Sequence, residues 1–309
     1  MTARHPEVEA PPARMDGPAS DVVGARLSRQ VDRVRRLDPL VRADAPDAVH
    51  RMRVALRRLR SALASYRPFL DRDLTDPVRD ELKWLGQVLG PERDTEVMHQ
   101  RLIQMVSAED GQNLIGPVRG RIDREIAERQ RTALDQRRQA MESPRYHALV
   151  GRLGELAAAP PFTEAAGEPA GDVLPPRVHR EWKRLRRRVE AVEASSHPDE
   201  RAALMHEARK AAKRARHAAE PVVALYGKPA RRYAKAVKRV QSVLGEHHDS
   251  VVTQQELRRL ADRAAADGDN AFTYGVLCAR EQVRAASLET RFRKVWSAAS
   301  AKKLRRWMS

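Results

Sequence analysis

Residues 50–66 read HRMRVALRRLRSALASY. At about 100° per residue, Met52, Ala55, Leu56, Leu59, Ala62, Leu63 and Tyr66 fall on one side of a helix, as a buried stripe does. His50, Arg53, Arg57 and Arg60 fall in a narrow arc opposite, and Arg51 and Arg58 flank the stripe from its other edge. No acid interrupts the arc. Like charges one turn apart repel by a few tenths of a kcal/mol per pair. The missing counter-charge must come from elsewhere in the fold or from a ligand. Arginine suits phosphate, because its planar fork bonds two oxygens at once.

The pattern recurs at HEARKAAKRAR, residues 206–216. His50 falls on His206, Arg53 on Arg209, Arg57 on Lys213, Arg58 on Arg214 and Arg60 on Arg216. Ala208, Ala211, Ala212, Ala215, Ala218 and Ala219 form the inner face of this second helix, and His206, Arg209, Lys213 and Arg216 its basic arc. Two further matches keep the same order. Val78, Leu82, Leu85 and Leu89 answer Tyr233, Val237, Val240 and Leu244, bringing Lys83 onto Lys238, Gly90 onto Gly245 and Asp94 onto Asp249. Upstream, Arg26, Arg29, Arg33 and Arg36 share their spacing with Arg177, Arg180, Arg184 and Arg187. Three matches in one order predict an internal duplication.

The rest of the chain agrees. Prolines punctuate helical patterns, and nothing alternates with period two for long. Hydrophobic residues reach 41% but aromatics only 4%, so Leu, Val and Ala must build the core. The expectation is an all-α fold of two pseudo-symmetric four-helix bundles. Residues 1–19 are expected to be a disordered lead-in. The first helical half then covers about 20–158, a Pro/Ala-rich linker about 159–175, and the second half about 176–309.

Charge narrows the function. A formal net charge of +17 suits a polyanion: nucleic acid, an anionic membrane surface or polyphosphate. No apolar run is long enough to span a membrane, and the N-terminus lacks an apolar signal core. The single cysteine, Cys278, can form neither an internal disulfide nor a cysteine-based zinc site, and its apolar context reads as core. This fits a reducing, cytoplasmic setting.

Other chemistry finds weak support. His247, His248 and Asp249 beside Glu246 invite a metal reading, but adjacent helical histidines point about 100° apart and rarely share one ion. A helix end at LGEHHD, with Asp249 as a capping acid, fits better, and LGPERD reads the same way. His50 and His206 have cations as sequence neighbours where a general base needs an orienting acceptor. They read as phosphate donors. No acidic metal pair lies near the arcs, and no Gly-x-x-x-x-Gly-Lys loop appears. No catalytic residue, metal site or cofactor is therefore expected. Nucleic acid is the main rival ligand. Against it stand the few aromatics for stacking and the scarcity of Asn and Gln beside the arginines.

The stretches VHRMRVALRRLRSAL, ELKWLGQVLGPERD, MHEARKAAKRAR and VKRVQSVLGEHHD resemble the CHAD family, the conserved-histidine α-helical domain, across about residues 20–305. The resemblance implies two four-helix bundles around a basic groove. It also implies binding of inorganic polyphosphate and association with polyphosphate granules. On this basis His50, Arg53, Arg57, Arg58, Arg60, Lys83 and Arg93 line the groove from the first half, and His206, Arg209, Lys213, Arg214, Arg216 and Lys238 from the second. His248 replaces the arginine at the position matching Arg93, which weakens the case for a fixed cation there. Many family members also carry a CYTH triphosphate-tunnel domain. Its Glu-x-Glu-x-Lys signature is broken here by Pro11 after Glu7 and Glu9, so no attached triphosphatase is expected.

Overall fold

Ten α-helices and no strand occur among the described residues, 14–308 of the computed structural model. The first six are α1 (Ala19–Arg42), α2 (Ala48–Ser65), α3 (Arg72–Val88), α4 (Gly90–Ser107), α5 (Val118–Glu142) and α6 (Pro144–Ala158). The last four are α7 (Ala170–Ala194), α8 (Pro198–Tyr226), α9 (Lys228–Ala266) and α10 (Phe272–Ala299). Taking α3 with α4 and α5 with α6 as broken legs gives four legs before the connection at 159–169 and four after it.

The breaks have local causes. Between α3 and α4, Leu89 leaves the helix and Gly90-Pro91 restarts it. Proline supplies no N–H and disfavours helix in the residue before it. At the matching place α9 runs unbroken through Gly245 and Glu246 for 39 residues. Glu246 keeps the N–H that Pro91 lacks, so the ladder continues. The helix end expected at LGEHHD is thus absent, and Asp249 is an interior residue of α9 and no cap. Between α5 and α6, Ser143 caps the new helix by accepting from Tyr146 N at 3.3 Å, ahead of Pro144 in the first turn.

Two boundaries also move. The linker expected over 159–175 is shorter, because α7 begins at Ala170 and takes Pro175 and Pro176 into its early turns. What remains is stitched down: Asp71 N donates to Pro161 O at 2.8 Å and Thr163 N to Phe69 O at 3.1 Å. The lead-in expected over 1–19 is ordered at its end. Ala170 N donates to Gly17 O and Gly171 N to Met15 O, both at 2.8 Å. The rest of that lead-in lies outside the described residues.

The apolar stripes behave as expected. The seven stripe residues, six on α2 and Tyr66 just past its end, and all six inner alanines of α8 are buried. One core cluster runs across both halves, through α1, α2, α3 and α6 and on through α7, α8, the first half of α9 and the end of α10. Alanine on α8 lets its backbone approach α2 closely enough for Tyr66 Oη to donate to Ala218 O at 2.8 Å. A second, smaller cluster joins α4 and α5 to the far ends of α9 and α10, and Cys278 lies in it. Packing α2 against α8 across the middle turns the two basic arcs toward each other. No helix among the described residues is long and apolar enough to cross a membrane.

Candidate polyanion site

The arcs of α2 and α8 meet. Arg57 on α2 lies within electrostatic reach of Arg53 on its own helix and of Arg216 and Arg209 on α8. Lys213 on α8 is acted on in turn by Arg57, Arg209, Arg216 and Arg53. Five cations from two distant stretches of chain therefore share one small volume.

Burial makes this costly. Burial first, and then its cationic neighbours, push the Arg57 guanidinium down to about 10. The same causes in the same order push the Lys213 ammonium down to about 7. Removing a positive charge from water without a partner disfavours the charged form. Among the described residues, no carboxylate or carbonyl takes a hydrogen bond or ion pair from Arg57, Arg209 or Lys213. The Nε atoms of Arg57 and Arg209 are buried without partners. An unpaired buried donor costs about 1–3 kcal/mol, and the Nε atoms of Arg58 and Arg216 beside the cluster are buried without a hydrogen-bond partner too.

The neighbours of the cluster are better served. Arg53 Nη1 donates to Asp94 at 3.0 Å on α4 and also to the Gly90 carbonyl. Glu220 on α8 gathers Arg26 at 2.7 Å, Arg216 at 3.4 Å and Arg58 at 3.9 Å. Arg216 Nη2 also donates to His217 Nε2 at 2.8 Å, and His217 Nδ1 lies 2.9 Å from Ser61 Oγ on α2. Burial and then Arg216 push His217 down to about 2, so the ring is neutral: it accepts from Arg216 and donates to the Ser61 hydroxyl. This relay fixes the Arg216 guanidinium from the opposite half.

The histidines stand at the rim. Burial lowers His50, with Arg93 as its strongest cationic neighbour. Burial lowers His206 too, and its ring lies 3.1 Å from His248, Nδ1 to Nδ1. His248 is pushed down to about 4, by burial and then by His206. The position where histidine replaces arginine thus keeps its place: Arg93 faces His50 as His248 faces His206.

Other expected residues lie apart from the five. Arg60 turns toward Arg79 and Asp80 of α3. Arg214 turns toward Glu181 of α7, at 3.8 Å. Arg93 is bound by Glu96 at 2.7 Å. Lys83 and Lys238 are exposed on α3 and α9. Asp94, Glu220, His217 and Ser61 were missed. Only Glu220 left a signal in sequence, lying one turn beyond Arg216 on the line of the arc. Among the described residues, no group of three or more His, Cys, Asp or Glu could hold a metal ion.

Three comparisons bear on this geometry. The family model described as CHAD domain matches residues 25–258. The uncharacterized proteins MT2285 and Rv2226 of Mycobacterium tuberculosis are 33% identical over 271 residues, which are 85% of this chain and 50% of each of theirs. The chain therefore spans about half the length of these curated relatives. Among solved structures, the CHAD domain from the plant Ricinus communis matches with a TM-score of 0.70 at 27% identity, covering 96% of this chain and 98% of that one. PptA from Streptomyces chartreusis matches with a TM-score of 0.75 at 22% identity, over 91% of this chain and 99% of that one, and shows the fold alone.

Proposed function

The chain belongs to the CHAD domain family, and we propose that it binds inorganic polyphosphate across the α2–α8 seam without turning it over. The family is associated with polyphosphate. The observation that carries the reading is the cation cluster from both halves, in which Arg57, Arg209 and Lys213 make no hydrogen bond or ion pair to a carboxylate and only Arg209 and Lys213 lie within electrostatic reach of Asp249. A dense, flexible anion supplies what these groups lack. Each guanidinium can bond two oxygens of a phosphate, and Lys213 regains its full charge beside one.

The absence of turnover belongs to the proposal. The cluster is dominated by donors, and His206 leans on another histidine where a general base needs an orienting acceptor. A cytoplasmic setting with association to polyphosphate granules belongs to it as well. The test is a binding titration of the full chain with phosphate chains of several lengths at two salt concentrations, with duplex DNA as competitor. Affinity should rise with chain length and fall steeply with salt, and DNA should compete poorly. DNA displacing long polyphosphate at equal phosphate concentration would favour nucleic acid instead. Chain shortening during incubation with magnesium or manganese would overturn the non-catalytic reading.

A further inference from the structure

Along the first half of α9, Lys228, Arg231, Arg232, Lys235, Lys238 and Arg239 are followed by no acid before Glu246. All six are exposed, and among the described residues none makes an ion pair or side-chain hydrogen bond. At about 100° per residue they fall within one arc of roughly 120°. Ordinary solvated helix faces interleave acids to relieve such repulsion.

The matching stretch of α3 does interleave them. Asp73, Asp76 and Asp80 stand where α9 carries Lys228, Arg231 and Lys235. Asp76 pairs with Arg67 and with Arg79, the latter at 3.2 Å, and Glu81 holds Arg145 at 2.7 Å. The same place in the fold is thus charge-balanced on one side and wholly cationic on the other.

The α9 face is continuous with the cluster. A Cβ at Gly245 would stand 3.5 Å from Arg209 Nε. Residues seven apart lie within about 20° of one row on a helix. Arg231, Lys238 and Gly245 therefore form a single row about 21 Å long, ending at Arg209. Lys235 borders that row, and His248 further along α9 reaches Arg209 and Lys213.

We propose that the exposed α9 face, centred on Arg231, Arg232 and Lys235, is a second polyphosphate-docking surface that carries a long chain out of the seam over the second half of the protein, and not over α3. The inference rests on the polyphosphate reading above and adds a direction to it. The occupant is the overhanging part of the same anion. A short chain fills the seam and never reaches α9.

The test compares wild type, Arg57→Glu and the triple variant Arg231→Gln, Arg232→Gln, Lys235→Gln, each against triphosphate and a long polyphosphate across a salt series. All three substituted residues of the triple variant are exposed, and circular dichroism checks the fold. The triple variant should bind triphosphate as wild type does. It should bind the long chain roughly tenfold more weakly, with a salt slope shallower by about two to three. Arg57→Glu should weaken both ligands. If wild type binds neither ligand, the function and this inference fall together. If wild type binds both, Arg57→Glu weakens both, and the triple variant keeps wild-type long-chain affinity and slope, the α9 surface alone is wrong.

Discussion

The two halves of the molecule carry the same basic pattern and answer its charge differently. In the first half the protein supplies most of its own counter-charge. Arg53 is held by Asp94, Arg93 by Glu96, and α3 alternates its signs. In the second half Arg209 and Lys213 make no ion pair and have Asp249 only at longer range, His206 leans on His248, and the first half of α9 is cationic without relief. Arg57 is the first-half residue that joins this unrelieved set. A repeated motif does not imply a repeated energy. Arg57, Arg209 and Lys213 are where a polyanion gains most, because there it breaks no existing ion pair.

That difference can be broken by paired neutralisations. Arg209→Gln should weaken long-polyphosphate binding about tenfold, whereas Arg53→Gln should weaken it only about threefold, since Arg53 must share its fork with Asp94. Equal losses in an isothermal titration would show that the ion pair to Asp94 does not matter to the ligand.

Stability sharpens the same contrast. Lys213→Met should stabilise the ligand-free protein near pH 7 by about 1 kcal/mol or more, because it removes a buried charge that stands among four arginines. The pH dependence follows from the lowered ammonium. The folded state holds Lys213 at about 7 against an ordinary 10.5, so the unfolded state binds more protons between those values. The contribution of Lys213 therefore raises stability as pH climbs from about 7 toward 10. Thermal melts of wild type should show this rise relative to Lys213→Met. Arg57, at about 10, should show none of it below pH 9. A wild-type-minus-variant difference that stays flat with pH would contradict the buried charge.

Binding should also take up protons at the rim. Burial and cationic neighbours lower His50 and His206 in the free protein, and a bound anion reverses that preference. Affinity should then rise a few-fold as pH falls below about 6.5. The rise should level off later in the second half, because His248 starts near 4. His50→Ala should remove the earlier part of the rise and His248→Ala the later part. The smallest expected effect comes from α3: Asp80→Lys, an exposed change that copies Lys235, should tighten long-chain binding about twofold. Looser binding would show that the acids of α3 are not what keeps the chain off that side.

Much of this was legible before the fold. The apolar stripes of α2 and α8 repeat at helical period, and every residue in them is buried. The matched segments at His50 and His206 also lead to the expectation that α2 and α8 share a site, and Arg57 and Lys213 do lie within electrostatic reach of each other's helices. The unbroken α9 was misread because Gly245 looks like Gly90, while the deciding residue is its neighbour, proline in one half and glutamate in the other. Asp94, His217 and Ser61 were invisible as site residues. Each acts through a contact between stretches far apart in the chain, such as Ser61 with His217 across 156 positions. Local spacing cannot encode which side of a neighbouring helix a short polar group will meet.

The most direct measurement is the stoichiometry and coupling of Arg57→Glu, Lys213→Glu and the double variant with long polyphosphate, at two salt concentrations and with circular dichroism as the folding control. One shared site predicts that either reversal alone weakens binding by roughly a hundredfold. It also predicts that the double variant loses much less than the sum of the two, because either reversal already turns the shared cluster against the ligand. Two independent half-sites would instead leave each single variant holding half the bound polyphosphate at wild-type affinity, with fully additive losses in the double, and that result would contradict the shared seam.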